Sequence, residues 1–182
     1  MNQDTLKKEL RERLRRERRQ KFIPASFSII LNSPEILAAK TVASYYSYGE
    51  EPSTHEINKA LLKAGKSLLL PRVNGDHLAW IEWNGDESSL KNAHKLSEPT
   101  GEPVQDLSVI DVMIVPALHI DQEGYRLGQG GGFYDRALSY IPGWKVGLVY
   151  AGELTSKTLP REVHDIPLNA AATPSILVRF KG

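Results

Sequence analysis

The chain has 182 residues, of which 41% are hydrophobic and 25% charged, proportions typical of a globular domain. It contains no cysteine, which excludes disulfides, thiolate metal sites and a cysteine nucleophile. The net charge of +1 argues against a nucleic-acid-binding polycation. There is no apolar run of about 18 residues for a membrane span and no apolar N-terminal segment for a signal peptide. We expect a single cytoplasmic domain over residues 1–182, with no membrane or nucleic-acid partner.

The N-terminal segment differs from the rest of the chain. Its first 21 residues include nine lysines or arginines and four acidic residues. Leu6, Leu10 and Leu14 recur every four residues, which predicts a basic helix over about residues 2–20 with a narrow apolar stripe. Three interpretations are open: a solvated helix docked along its leucines, an arm that binds nucleic acid, and a segment that contacts a ligand.

The next segment predicts a strand–helix–strand unit. A helix over about residues 33–40 begins with Ser33-Pro34, a cap followed by a proline. Thr41 to Tyr48 is rich in β-branched and aromatic residues and predicts a strand. A helix from Ser53 or Thr54 to Lys63 and a strand over Ser67 to Val73 follow, and the short connections favour a parallel βαβ unit.

The remaining elements complete an α/β pattern. Residues 86–108 are polar and predict a long excursion from the sheet. We expect a mostly parallel central sheet flanked by helices, as a single three-layer domain. The other predicted elements are the strands Leu78 to Trp83, Val109 to Leu118, Gly143 to Tyr150 and Ser175 to Phe180 and the helix Phe133 to Ser139.

The most informative stretch is a glycine loop, residues 128–132, in which four of five residues are glycine. Such a loop before a helix lets backbone N–H groups approach an anion. It contains neither the Gly-Lys-Ser/Thr triplet of a P-loop nor the third glycine of a dinucleotide fingerprint. A structural hairpin with glycines at positive φ is the alternative. Arg126 suits a bidentate phosphate contact, and Asp135 suits either the helix dipole or Mg²⁺.

The segment from Arg126 to Arg136 resembles the signature loop of 5-formyltetrahydrofolate cyclo-ligases, Arg-Leu-Gly-x-Gly-x-Gly-aromatic-Tyr-Asp. Three further segments are similar to family blocks in the expected order. These segments are Lys7-Lys-Glu-Leu-Arg11, Tyr45 to Thr54 with the following Leu-Pro71-Arg72, and His164 to Asn169 with the following Thr173. The resemblance therefore spans nearly the whole chain.

The resemblance implies an ATP- and Mg²⁺-dependent conversion of 5-formyltetrahydrofolate to 5,10-methenyltetrahydrofolate, through a phosphorylated formyl (iminium phosphate) intermediate. It assigns catalysis to Glu51 and Arg126 and metal binding to Asp135 and Asn169. ATP contacts are implied for Lys7, Arg11, Arg126, Leu127, Gly128, Gln129, Gly130, Gly131, Gly132, Phe133 and Tyr134. Folate contacts are implied for Arg11, Tyr46, Glu51, Gln129, Gly130, Gly131, Gly132 and Phe133.

The chain departs from the family pattern at two positions. Some members have a lysine where this chain has Gly131, and the family commonly has an aspartate where this chain has Asn169. We therefore expect weaker metal binding at Asn169. A paralogue that binds ATP but acts on another folate or a thiamine-related compound would carry the same loop, and a module that grips RNA with the basic helix is a further alternative. We expect a monomer or a weak oligomer.

Overall fold

The computed structural model describes residues 2–93 and 96–181. Its helices are α1 (Gln3–Lys21), α2 (Pro34–Ala38), α3 (His55–Lys63) and α4 (Phe133–Tyr140). Its strands are β1 (Thr41–Ala43), β2 (Ser67–Asn74), β3 (His77–Glu82), β4 (Lys91–Ala93), β5 (Leu96–Glu98), β6 (Val112–Pro116), β7 (His119–Asp121), β8 (Arg126–Leu127), β9 (Trp144–Leu148), β10 (Leu154–Thr155), β11 (Ala170–Ala172) and β12 (Leu177–Arg179). No helix among the described residues is long and apolar enough to cross a membrane.

The central sheet has seven strands in the order β12-β11-β9-β6-β1-β2-β3. The five inner strands run parallel, and the edge strands β12 and β3 are antiparallel to their neighbours. This topology confirms the expected mostly parallel sheet. Two smaller sheets, β10-β7-β8 and β4-β5, lie outside it. The antiparallel pair β4-β5 lies within the predicted excursion over residues 86–108.

The sheet buries both faces, as a parallel sheet must. Val112 and Ile114 belong to one hydrophobic cluster with residues of α2 and α3, whereas Met113 and Val115 belong to a second cluster with residues of α4. Alternate residues of β6 thus enter opposite clusters, which confirms the three-layer arrangement. Helix α1 packs through Leu14 against Leu127 in a third, smaller cluster.

The predicted βαβ unit is confirmed as β1-α3-β2, but its first strand is much shorter than predicted. The chain leaves the sheet after Ala43 because polar side chains at the start of α3 take over its backbone hydrogen bonds. Tyr45 O accepts from Thr54 Oγ1 and from Asn58 Nδ2, and Ser47 N donates to Thr54 Oγ1 over 3.1 Å. Local β propensity cannot anticipate these partners.

Two other elements differ from the prediction. The strand expected over Val109 to Leu118 covers only Val112–Pro116, since the β7-β8 hairpin begins three residues later and precedes the glycine loop. Strand β11 was not predicted, because its three alanines have low β propensity. Their small side chains are fully buried between the layers.

Candidate functional site

A cleft of about 780 Å³ opens at the carboxyl edge of the central sheet. This edge is where open α/β sheets bind ligands. The loop that follows β1, the segment that follows β6, and the glycine loop form its walls together with helix α1. Of the predicted site residues, the cleft is lined by Tyr46, Glu51, Arg126, Gly128, Gln129, Gly130, Gly131, Gly132, Phe133, Tyr134 and Asp135.

The glycine loop needs glycine for two different reasons. A Cβ atom at Gly128 would lie 2.2 Å from Arg126 Nη2, so any other residue there would displace the buried guanidinium that pairs with Asp135. Gly130 and Gly132 adopt φ of +110° and +74°, which side chains disfavour. Within the described residues, no protein acceptor receives the N–H groups of residues 129–132. The loop therefore offers free amide donors to an anion. Positive φ at these glycines is also expected for the structural hairpin that was the alternative interpretation.

Arg126 and Asp135 form an ion pair at the base of this loop. Arg126 Nη1 lies 2.9 Å from Asp135 Oδ1, and Arg126 Nε donates to Pro116 O over 3.1 Å. Burial lowers the pKa of Arg126, and the charge of Asp135 opposes that effect. The side chain of Asp135 is 37% exposed, so a carboxylate held by arginine still faces the cleft.

Helix α1 presents a row of cations to the loops beside the cleft. Arg11 Nε donates to Gly128 O over 2.9 Å, and Lys7 Nζ lies 3.4 Å from Asp165 Oδ2. The two side chains are four residues apart and share one helix face. Neither residue lines the cleft directly, but Arg11 reaches the glycine loop, whereas Lys7 reaches the C-terminal block.

Arg18 is a residue of this helix that sequence reasoning missed. Its guanidinium pairs with both carboxylate oxygens of Glu153 and also donates to Ala117 O over 2.7 Å. The side chain is only 6% exposed and lies 5.3 Å from the centre of the Tyr150 ring. The ion pair holds α1 against the turn that follows β9, and the hydrogen bond to Ala117 O holds it against the end of β6. Among nine cations in the segment, no sequence signal distinguished this one.

Glu51 is half-buried and turned back on its own loop. Its carboxylate accepts a hydrogen bond from Tyr48 N over 2.9 Å. Burial raises the pKa of Glu51, while the Tyr48 N–H group and the charge of Arg18 lower it. Tyr46 packs edge-on against Trp83, with ring centres 5.8 Å apart. A carboxylate that binds protons more readily than usual thus faces the same cleft as the glycine loop.

The structure does not bring Asn169 to Asp135, so the two cannot share a metal ion. Asn169 Oδ1 accepts from Lys145 N over 2.8 Å at the amino end of β9, whereas the cleft lies at the carboxyl end. Five residues of strand separate the two edges by roughly 15 Å. The acidic residue that lies near the loop is Asp165, which pairs with Lys7. Its charge acts on the pKa of Arg126, as does that of Asp135.

Leu127 is placed differently from its neighbours in the loop. Its side chain is buried against Leu14 and Leu159 and does not line the cleft. Its carbonyl accepts from Leu118 N over 2.8 Å. The residue holds the start of the loop against α1.

The fold and cleft define an α/β protein whose glycine loop, cations and carboxylates share one edge of the sheet. A family model described as the 5-formyltetrahydrofolate cyclo-ligase family matches residues 2–174. The chain therefore belongs to the 5-formyltetrahydrofolate cyclo-ligase family. Its membership confirms that it is an enzyme of the ligase class, as the sequence resemblance implied.

Individual relatives match over nearly their whole length. The 5-formyltetrahydrofolate cyclo-ligase of Escherichia coli (strain K12) is 34% identical over 173 residues, covering 91% of this chain and 94% of the relative. The NMR structure of Aquifex aeolicus 5,10-methenyltetrahydrofolate synthetase is 31% identical with a TM-score of 0.80, covering 97% of this chain and 94% of that one. The Mycoplasma pneumoniae 5,10-methenyltetrahydrofolate synthetase is 18% identical with a TM-score of 0.63, covering 96% of this chain and 100% of that one, and shares the fold.

Proposed function

We propose that this chain converts 5-formyltetrahydrofolate to 5,10-methenyltetrahydrofolate and uses one ATP, which it releases as ADP and phosphate. The observation that carries the proposal is the single cleft that contains both the glycine loop and Glu51. A nucleotide's phosphates on the loop and a folate beside Glu51 would occupy adjoining parts of one cavity. Nearly full-length similarity to proteins named for this reaction supports the same conclusion.

The proposed reaction has two steps. The formyl oxygen on N5 attacks the γ-phosphorus of ATP, the bond to the β-phosphate oxygen breaks, and ADP leaves. The resulting iminium phosphate has an electrophilic formyl carbon. N10 attacks this carbon, the C–O bond to phosphate breaks, and N10 loses its proton, which leaves the methenyl bridge between N5 and N10. No protein nucleophile is needed.

Phosphoryl transfer depends mainly on positioning and on neutralisation of charge. The amide groups of residues 129–132 would hold phosphate oxygens, and the buried guanidinium of Arg126 would supply a fixed positive charge beneath them. Lys7 and Arg11 add charge from helix α1. Glu51 would contact the reacting end of the folate, and its raised pKa suits a group that accepts the proton from N10.

Magnesium fits part of the predicted donor set. Asp135 offers a partly exposed carboxylate beside the loop, and Mg²⁺ prefers one or two carboxylates together with phosphate oxygens and water. Asp165 is the second candidate carboxylate, and Asn169 does not fit because it lies at the opposite edge of the sheet. The ion would neutralise charge on the transferring phosphoryl group.

The test mixes the protein with Mg-ATP and 5-formyltetrahydrofolate and follows the absorbance of methenyltetrahydrofolate. We expect product that depends on both ATP and Mg²⁺, with one ADP released per folate. ATP binding without any conversion of this folate would reject the proposal and favour a paralogue with another substrate. A parallel reaction with the Arg126→Met variant controls for uncatalysed conversion.

A further inference from the structure

Two arginines of helix α1 bind the main-chain carbonyl groups of the glycine loop. Arg11 Nε donates to Gly128 O over 2.9 Å. Arg15 Nη2 donates to Gln129 O over 2.6 Å, and Arg15 Nε donates to the Gln129 side-chain oxygen over 2.8 Å. Arg15 thus forms two hydrogen bonds with one residue of the loop, and it also lines the cleft.

A third arginine binds the loop from helix α4. Arg136 Nη2 donates to Gly131 O over 3.1 Å, and Arg136 Nε donates to Asp76 O over 2.7 Å. The guanidinium lies 5.2 Å from the centre of the Phe133 ring. A Cβ atom at Gly132 would lie 2.6 Å from Arg136 Nη1, so the arginine fills the space beside the loop.

These contacts fix which way the peptide groups of the loop face. In a trans peptide the C=O and the following N–H point in opposite directions, and the chain has no cis peptide bond in its described part. The carbonyls that face arginines therefore turn the N–H groups of Gln129, Gly130 and Gly132 away from those arginines. Within the described chain these N–H groups have no protein acceptor.

A loop with four glycines in five residues does not hold such an arrangement by itself. Glycine loses more conformational freedom on ordering than any other residue. A peptide between two glycines can turn over with little steric resistance, and that rotation would present a carbonyl oxygen where an N–H group is needed. A phosphate would then meet an electron-rich oxygen instead of a donor.

We infer that Arg15 and Arg136 are positioning residues that hold the glycine loop with its N–H groups aligned for a polyphosphate before the nucleotide binds. The inference rests on the proposed function, because it takes ATP as the ligand of this loop. The planar guanidinium of Arg15 suits this role, because its Nε and Nη2 atoms donate at the same time to the side-chain and main-chain oxygens of Gln129. Lysine cannot reproduce that geometry.

The test compares five full-length proteins: wild type, Arg15→Met, Arg15→Lys, Arg136→Met and Arg13→Met. Arg13 is the matched control, because its side chain is 61% exposed and pairs with Glu17 on the same helix. Backbone ¹⁵N relaxation of residues 128–132 is measured without nucleotide. Dissociation constants are then measured for ATP and for inorganic tripolyphosphate, and kcat and KM for ATP are measured with 5-formyltetrahydrofolate.

In Arg15→Met and Arg136→Met we expect order parameters in the loop to fall from about 0.85 toward 0.6 or lower. Both ligands should bind about 3- to 10-fold more weakly, the scale of one hydrogen bond. Arg15→Lys should resemble Arg15→Met, and Arg13→Met should resemble wild type. The KM for ATP should rise more than kcat falls, because in these variants part of the free energy of ATP binding is used to order the loop.

Unchanged loop order together with weaker binding would overturn the inference, since Arg15 would then contact the phosphates directly. Full rescue by Arg15→Lys would overturn it as well, because charge alone would suffice. Wild-type protein that binds ATP but converts no 5-formyltetrahydrofolate would reject the proposed reaction and leave the positioning role intact. Equal loop order in every variant would reject the positioning role and leave the reaction intact.

Discussion

Replacing Glu51 with glutamine removes a charge and leaves the size of the side chain almost unchanged. The glutamine oxygen can still accept the hydrogen bond that Tyr48 N donates over 2.9 Å. We therefore expect the free energy of unfolding to change by less than about 1 kcal/mol. Loss of a positioned proton acceptor should lower kcat for 5-formyltetrahydrofolate by roughly 10²-fold or more. ATP binding should stay close to that of wild type.

The pH dependence of stability separates this role from a structural one. Burial raises the pKa of Glu51, so the native carboxyl keeps its proton to a higher pH than the unfolded one. The stabilisation that the protonated Glu51 carboxyl gives the native state is fully present below the pKa of this group in the unfolded chain, and it is lost as the pH rises through its pKa in the folded protein. Glutamine does not titrate. The Tm of Glu51→Gln should equal that of wild type at low pH and match or exceed it at neutral pH.

The assay combines steady-state kinetics in both substrates with thermal unfolding across the acidic and neutral range. Glu102→Gln, the same change at an exposed carboxylate away from the cleft, is the control and should leave both measurements unaltered. Wild-type kcat and KM for the folate in Glu51→Gln would refute the role of this carboxylate. A lowered Tm with normal kinetics would show instead that Glu51 only supports its loop.

Three further predictions concern the cations and the metal. Asp135→Asn should nearly abolish activity at ordinary Mg²⁺ concentrations and recover part of it at excess Mg²⁺. Asn169→Asp should leave the Mg²⁺ dependence of the rate unchanged. If Asn169→Asp lowered the Mg²⁺ concentration needed for half-maximal rate, the placement of Asn169 away from the cleft would be contradicted. Lys7→Ala and Arg11→Ala should each raise the KM for ATP roughly 10- to 100-fold, because a charge-assisted contact contributes about 1.5–3 kcal/mol. An unchanged KM would show that α1 does not contact the nucleotide and is only a solvated helix docked along its leucines. Arg18→Met should reduce the free energy of unfolding by about 3–5 kcal/mol, because the carboxylate of Glu153, which is only 13% exposed, loses its cation. Chemical denaturation measures this loss, and an unchanged free energy of unfolding would contradict the role of the ion pair.

Local chemistry in the sequence determined the elements on which the site is built. Ser33 caps α2, and the proline after it begins the helix, as the dipeptide predicts. The spacing of Leu10 and Leu14 determined the buried face of α1. The density of glycine over residues 128–132 marked the loop, because few structural needs other than close approach of the main chain require so many glycines.

Tertiary structure decided which side chains meet. The sequence assigned both Asp135 and Asn169 to a metal site, but Asn169 lies at the amino end of β9 and Asp135 beside the cleft at the carboxyl end, because the register of the parallel strands cannot be read from the sequence. Arg15 and Arg18 carry the same charge as their neighbours, and only their contacts with Gln129 and Glu153 set them apart. The sequence determined where donors and acceptors lie along the chain, and the packing of α1 on the sheet decided which of them come within bonding distance.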